Sequence, residues 1–411
     1  MFLDDGVKSG CCGCKVCASV CKTNAISFES DEEGFWYPII DGNKCIDCGQ
    51  CRKVCPASDR SSVPGGALLP IADEGQFCAA FSNSADVLEN SASGGMFTHI
   101  SDCILGNNGV VFGHRYDKDF NVICDAADSK DRRDLFRGSK YVQSDMGNAY
   151  AEIKRQTETE RPVLVSGTPC QIDAVKHFFG GKVPVNLFLL EIICHGVPPP
   201  LIFREYIGLC EKKAGKKITD FEFRGKEKGW TTPFRKISYS DGSCRGELLN
   251  TDAFNNLFLG TDCILRPSCY ECKYAGKERV ADISIGDFWG AEDVHPDMFN
   301  SNRGTSLVLV NTEKGREMFG HARKFMTVKN ILLSDCAGRN LPLRGYPRPR
   351  IDRESFFNDY ATQGLEWSMK KHCFKPERTL RAKIKKLIVL LIGKERAIKL
   401  KKLMKGGALE R

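Results

Sequence analysis

Eight of the nine cysteines in the first 56 residues, set out as one spacing used twice, constrain this chain more than any other feature. Cys11, Cys14, Cys17 and Cys21 follow C-x2-C-x2-C-x3-C, and Cys45, Cys48, Cys51 and Cys55 repeat it with Pro56 after the last. Three thiolates at two-residue intervals grip three irons of one cubane and the fourth cysteine of each run crosses to the other, so the spacing implies two [4Fe-4S] clusters. Cluster one is assigned to Cys11, Cys14, Cys17 and Cys55, and cluster two to Cys45, Cys48, Cys51 and Cys21, which leaves Cys12 spare. Structural zinc also uses C-x2-C pairs, but it has no use for a third cysteine at the same interval and a fourth three residues on, twice over.

A stretch so rich in cysteine and so short of helical periodicity is organised by metal rather than by an apolar core. It reads as a small bacterial-type ferredoxin domain over residues 1–58. Lys22 stands where the first run would carry a proline, followed by Thr23-Asn24-Ala25-Ile26. The chain has 21 cysteines in 411 residues, but an acidic N-terminus without an apolar leader and no membrane-length apolar run argue against a secreted disulfide protein. The expectation is a cytoplasmic protein whose thiols are kept for metal. The formal charge of +8 does not indicate nucleic acid, because residues 375–411 hold 13 Lys or Arg against three Glu and the rest of the chain sums to −2.

The Ser, Pro and Gly content of residues 59–74 predicts a linker. From 75 to 345 apolar runs alternate with helix-like patterns: QFCAAF, GGMFTHISDCILG, GVVFGHRY, PVLVSG, CQIDAVKHFFG and VNLFLLEIIC. That rhythm predicts an α/β (α+β) domain on a mixed sheet. FEFRG, FRKISYS and CRGELLN read as antiparallel strands, the last two joined through Asp241-Gly242. ADISIGDF and TSLVLVN return to the same core. Past about residue 345 the pattern fades, and 346–411 reads as a basic amphipathic helical tail.

A third cysteine set lies downstream. Cys170 in SGTPCQ follows a strand pattern and starts a helix, Cys194 ends another strand pattern, and Cys269 and Cys272 form a C-x2-C pair in RPSCYECKYA. Strand ends on one edge of an α/β sheet converge in space, and a pair arriving from a loop could complete a four-thiol site there. Any one of these cysteines alone would read as a buried structural residue, as Cys78, Cys103, Cys124, Cys210, Cys244, Cys336 and Cys373 do. Cys263, six residues before Cys269, is an alternative to Cys170.

SGGMFT, GSKYVQS, SGTPCQ, CHGVPPP, FRGKEKGW and RPSCYECKYA followed by ADISIGDFWG resemble the coenzyme F420 hydrogenase/dehydrogenase beta-subunit family over roughly residues 5–325. Relatives include the plant 7-hydroxymethyl chlorophyll a reductase. The resemblance implies FAD and a further [4Fe-4S] cluster on Cys170, Cys194, Cys269 and Cys272. No G-x-G-x-x-G follows a strand, so FAD rests on the resemblance. A Ser-Gly-Gly before a helix is by itself more often a cap than a diphosphate site. The resemblance makes Ser93, Gly94, Gly95 and Thr98 flavin contacts, together with Gly138, Ser139, Lys140, Tyr141 and Gln143, and with Gly167, Thr168 and Gln171 around Cys170.

His195 is a candidate proton donor or a group that steadies the cluster. Arg224, Lys226 and Trp230 could bind an acidic ligand, although a charged surface hairpin is the plainer reading; Asp287 would hold a loop and Trp289 would pack. The basic tail could lie on an anionic membrane surface, dock on a partner or be solvated. Two kinds of function follow. One is a flavin-dependent oxidoreductase that takes electrons from a soluble carrier, a ferredoxin or flavodoxin, and passes them to a small-molecule substrate; polysaccharide biosynthesis is a setting of the bacterial relatives. The other is a non-catalytic electron-transfer beta subunit working with a partner redox subunit, or an oxidoreductase of coenzyme F420 itself.

Overall fold

The computed structural model describes residues 2–58 and 77–373. The expected linker and the basic segment from residue 374 onward lie outside these residues.

The N-terminal module has one hairpin, β1 (Ile26–Ser30) with β2 (Trp36–Ile40), and very short helical turns, two of which carry Cys17 and Cys51. Thirteen strands are described, the rest being β3 (Phe77–Ser82), β4 (Val110–Tyr116), β5 (Val122–Ala127), β6 (Val163–Gly167), β7 (Leu187–Ile192), β8 (Ile218–Gly225), β9 (Phe234–Tyr239), β10 (Cys244–Leu248), β11 (Ile283–Asp287), β12 (Ser306–Val310) and β13 (Met326–Asn330). Eight of them form one mixed sheet in the order β13-β3-β12-β11-β7-β6-β4-β5. Its middle, β11-β7-β6-β4, is parallel and its flanks are antiparallel.

Parallel strands covered on both faces need apolar residues on both. Val163 and Val165 of β6, with Leu187 and Leu189 of β7, pack under helices Ala149–Thr157 and Pro169–Phe178, against Tyr150, Ile153, Ile172 and Val175. Leu164 and Leu190 point the other way, to Met96, Ile100, Met318 and Phe319 of helices Met96–Gly106 and Glu313–Ala322. The period-two switch in each strand thus supplies both layers.

FEFRG, FRKISYS and CRGELLN form a separate three-stranded sheet, β10-β9-β8, instead of joining the large one. It buries an aromatic face of Phe221 and Phe223 against Phe203, Tyr206, Phe254 and Phe258. Residues past 345 add to the same core: helices Arg353–Gln363 and Leu365–His372 bury Phe356, Phe357, Tyr360 and Leu365 in it. Packing therefore continues where the sequence pattern fades.

The N-terminal module is fastened along a seam. Tyr150 donates to the Cys14 carbonyl at 2.8 Å, Lys15 pairs with Asp145 at 2.7 Å, Lys273 donates to the Pro56 carbonyl at 2.5 Å, and Arg353 grips Glu33 with both arms of its guanidinium. Gly13 sits at the tightest approach. With φ at +70°, a Cβ there would stand 2.0 Å from Gln143 Nε2 and 3.0 Å from the Arg266 guanidinium, so only glycine lets the two surfaces meet.

Candidate metal centres and cofactor cleft

Each N-terminal cysteine run carries its third cysteine, Cys17 or Cys51, in a short helix entered through a left-handed residue, Lys15 in one and Gly49 in the other. That turn lets the chain wrap round a metal cluster while the fourth cysteine continues to its neighbour. Cys21, Cys45, Cys48 and Cys51 line one small cavity of about 60 Å³. Cys45 and Cys48 are exposed. The other set is inside: burial and the neighbouring Cys11 and Cys55 push the Cys17 thiol up, and burial with Cys12 and Cys11 nearby pushes Cys55 up to about 12. The structure brings Cys11, Cys14, Cys17 and Cys55 near one another on the inner side, and Cys21, Cys45, Cys48 and Cys51 round the outer cavity.

The third set is assembled from three elements. Cys170 is in the first turn of helix Pro169–Phe178, just past β6; Cys194 lies two residues beyond β7; Cys269 and Cys272 come from the loop before β11. β6 and β7 are parallel neighbours, with Gly167 beside Glu191, so their ends deliver Cys170 and Cys194 to one place. Burial together with Cys269 and Cys272 pushes Cys194 up, and burial with Cys272 pushes Cys269 up to about 12. Buried thiols that oppose each other's ionisation suit a cationic centre, which turns that repulsion into ligation. Cys263 is elsewhere, fully buried in the aromatic core, with Arg353, Glu33 and Asp352 as its nearest charged groups.

Cys12 has a place between the sets. Its thiol faces Cys14 on one side and Cys170 on the other, and the hydrogen bonds from both pull it below the usual thiol range. Among the described residues no three His, Cys, Asp or Glu side chains close tightly enough on one point to hold a single ion. A cubane is broader than an ion and needs its four sulfurs set round a larger body.

Beside the third set opens a cleft of about 470 Å³. Ser93, Gly95, Thr98, Gly138, Ser139, Lys140, Tyr141, Gln143, Gly167, Thr168 and Gln171 line it, as do Cys12, Cys170, Cys194 and His195. Gly94 lies behind the wall: its N–H donates to Ser306 Oγ, and a Cβ would meet the Ala80 carbonyl at 2.4 Å. Gly95, at φ +87°, starts helix Met96–Gly106 with no side chain folded over its end, which keeps that positive helix terminus open to an anion. Thr168 and Gln171 lock the neighbouring helix: Gln171 Oε1 accepts from the Thr168 N–H and hydroxyl, each at 3.0 Å.

Three side chains weighed as ligand contacts are already bonded to the protein. Lys140, read as a cation for phosphate, donates to the Leu135 and Arg137 carbonyls at 3.0 and 2.6 Å and so closes its own loop. Gln143 spans the seam, donating to the Cys12 carbonyl and accepting from Arg266 at 2.9 Å. Lys226 is not a free ligand cation: its ammonium donates to the Leu88, Ser93 and Arg303 carbonyls at 2.6–2.8 Å and braces the Ser-Gly-Gly loop.

Arg224 is mostly buried rather than on a surface hairpin. It pairs with Asp287 at 3.3 Å and lies over Trp289, and its Nη2 has no partner. Trp289 stacks on Trp230, whose indole N–H donates to Asp287 at 2.9 Å.

Asp262 and His114 were not singled out by sequence. Asp262 is buried and holds His195 at 2.7 Å, which fixes the orientation of the imidazole at the cleft. It sits in a Thr-Asp-Cys stretch that carries no motif. His114 of β4 bonds the Ser166 carbonyl through Nε2 at 3.1 Å, and burial pushes it down to about 4. It is neutral at pH 7, with its Nδ1 buried and unpartnered. The cleft thus has apolar walls, an open helix start and unused polar atoms in Arg224 and His114, features that fit a flavin.

Residues 160–331 match the family model for the C terminus of the coenzyme F420 hydrogenase/dehydrogenase beta subunit, and residues 10–58 match the 4Fe-4S dicluster domain. Residues 160–331 thus carry the C-terminal region of the coenzyme F420 hydrogenase/dehydrogenase beta-subunit family. The chain is an iron-sulfur protein of electron transfer, with a dicluster domain ahead of the family's C-terminal region. A curated relative, one of the subunits of the Na(+)-translocating ferredoxin:NAD(+) oxidoreductase complex of Acetobacterium woodii, is 39% identical over 59 residues, 14% of this chain and 16% of the relative. The chain therefore spans under a fifth of that protein's length. Among solved structures, a chain of the F420-reducing [NiFe] hydrogenase complex from Methanosarcina barkeri is similar at 17% identity and a TM-score of 0.43, covering 72% of this chain and 90% of that one. No helix among the described residues is long and apolar enough to cross a membrane.

Proposed function

We propose that this chain is an electron-transfer subunit of a larger oxidoreductase, passing single electrons between a soluble carrier or partner redox subunit and a flavin held in the cleft. The observation that carries this reading is the serial placement of three thiol sets. Cys21, Cys45, Cys48 and Cys51 stand at the exposed end, Cys11, Cys14, Cys17 and Cys55 lie inside the seam, and Cys170 and Cys194 line the cleft with Cys269 and Cys272 behind them, next to Cys194.

A bound flavin would exchange one-electron traffic for two-electron chemistry. The open helix start after Gly95 and the unpaired Nη2 of Arg224 would receive its anionic part, and the neutral His114 would offer Nδ1 as an acceptor. His195, steadied by Asp262, would hold a proton at the mouth. The matched family is one of beta subunits, which supports a partner complex, and its name points to coenzyme F420 as the two-electron partner of the flavin. A second reading, reduction of a small organic acceptor by this chain alone, is favoured by the cleft itself, which joins a proton donor to a buried arginine.

Anaerobic purification followed by iron, sulfide and flavin analysis tests the proposal. About twelve irons and one FAD per chain are expected from three cubanes and one flavin. About eight irons with no flavin would leave a two-cluster carrier and end both readings. Photoreduced protein that discharges only when a partner redox subunit is added supports the subunit role; discharge to a small acceptor without partner supports the second.

A further inference from the structure

Among the described residues with fully buried guanidinium groups, Arg133 pairs with Asp102 and Asp134, Arg235 with Asp252 and Glu247, and Arg279 with Glu191. Arg266 is different. It is 0% exposed, and no carboxylate among the described residues pairs with it. Its Nε donates to the Cys11 carbonyl at 2.7 Å, Nη1 to Gln143 Oε1 at 2.9 Å, and Nη2 to both the Trp36 carbonyl at 3.0 Å and the Cys11 sulfur at 3.4 Å. The ring of Tyr37 lies 4.2 Å beneath it. A buried cation without a counter-ion is costly unless a negative group compensates it. The one acceptor in this ring that bears charge when iron is bound is the Cys11 thiolate.

We propose that Arg266 raises the reduction potential of the inner N-terminal centre, the one held by Cys11, Cys14, Cys17 and Cys55, so that electrons arriving at the exposed Cys21 side run inward without an uphill step. The reasoning is electrostatic. Uptake of one electron adds one negative charge to a centre and its four thiolates, with no bond made or broken and no proton moved. Burial disfavours that added charge, so an inner centre without help would be harder to reduce than the outer one. A guanidinium bonded to a ligand sulfur stabilises the reduced form and reverses the disadvantage. The outer set has no buried equivalent: of the cations lining its cavity, Lys22 is exposed and Arg52 is solvent-facing and shared with Asp4 and Asp47, where water screens them.

Arg266 is also three residues before Cys269, whose N–H donates to the Arg266 carbonyl at 2.8 Å. The residue that tunes the inner centre is thereby fixed to the third thiol set. The inference rests on the iron-sulfur reading of the dicluster domain, and the experiment separates the two. EPR-monitored potentiometric titration of the full chain, purified anaerobically, should first show two N-terminal centres; their absence would sink the reading itself.

With both present, Arg266→Gln should lower one N-terminal midpoint potential by at least the 59 mV of a tenfold change in a one-electron equilibrium and leave the other in place. Arg266→Lys, which keeps the charge but not the fork of donors, should fall between. Because Arg266→Gln could loosen the seam, Gln143→Glu provides an independent arm: it leaves the arginine and hands it a carboxylate, and the same centre should again drop in potential. Unchanged potentials in Arg266→Gln or Gln143→Glu protein that retains both centres would overturn the proposal.

Discussion

Replacing Cys272 by serine is expected to take about four irons from a chain that otherwise holds about twelve, and to leave both N-terminal EPR signals intact. Each N-terminal set has four thiols of its own, so neither depends on the loop that carries Cys269 and Cys272. The third set has no reserve on that loop. Burial pushes the Cys272 thiol up, and a serine there would present a poorer ligand to iron at a site where solvent cannot make good the loss. Cys170→Ser should have the same effect, whereas Cys263→Ser should cost no iron, because Cys263 is fully buried in the aromatic core and, unlike Cys170 and Cys194, does not line the cleft. The reverse outcome, iron lost with Cys263 and kept with Cys170, would mean that the cleft-side set is wrongly drawn. Loss of eight or more irons from Cys272→Ser would mean that Cys12, which faces both Cys14 and Cys170, ties the sets into one unit.

Arg279→Ala should be the most destabilising substitution in the main domain, by about 3–5 kcal/mol, since it strands a buried carboxylate. Arg279 Nε donates to Glu191 at 2.6 Å, and Glu191 is fully buried. Ser284 Oγ donates to the same carboxylate oxygen at 2.6 Å, from the neighbouring strand β11, where Ser284 lies beside Glu191 in register. The expected fall in unfolding temperature is on the order of 10 °C, measured on anaerobically purified protein. The pair Arg279→Met with Glu191→Leu should recover much of it, because a buried ion pair replaced by packed apolar groups is often neutral. An unchanged unfolding temperature for Arg279→Ala would show that the pair has no structural role. This link also bears on the metal: it joins the loop that follows Cys272 to the strand that ends before Cys194.

What sequence could and could not foresee divides by distance along the chain. The N-terminal clusters were legible because all eight cysteines lie within one short stretch, and the spacing itself encodes which sulfurs can share a cubane. The positions of Cys170 and Cys194 were legible one step further out. PVLVSG and VNLFLLEIIC are apolar runs of the kind that become adjacent parallel strands, and residues at the ends of such strands meet. Arg266 and Gln143 were beyond reach as seam residues, because Arg266 meets Cys11 across 255 positions and nothing local marks either. Asp262 was missed for the same reason; its meaning lies in His195, which arrives from the end of β7. What Lys140 and Lys226 bond was not legible either: the carbonyls that Lys140 ties within its own loop, and those through which Lys226 braces the Ser-Gly-Gly loop rather than standing on a surface hairpin, leave no local mark. The tail after residue 345 reads as helical, but the packing of its helices into the core was hidden by composition, their buried aromatics set within an otherwise polar, charged stretch.

The contrast between the exposed Cys45 and Cys48 and the buried Cys14 and Cys17 has a consequence for how the chain would fail. Oxidative attack on cysteine follows accessibility, so dissolved oxygen should strip the outermost cluster first and reach the interior ones last. A damaged molecule would then be cut off from its donor while its remaining centres stayed intact and unable to leak electrons outward. The outer cysteines would serve as a fuse, sacrificed before the cleft is harmed, and timed exposure to air should show one EPR signal vanishing well ahead of the others.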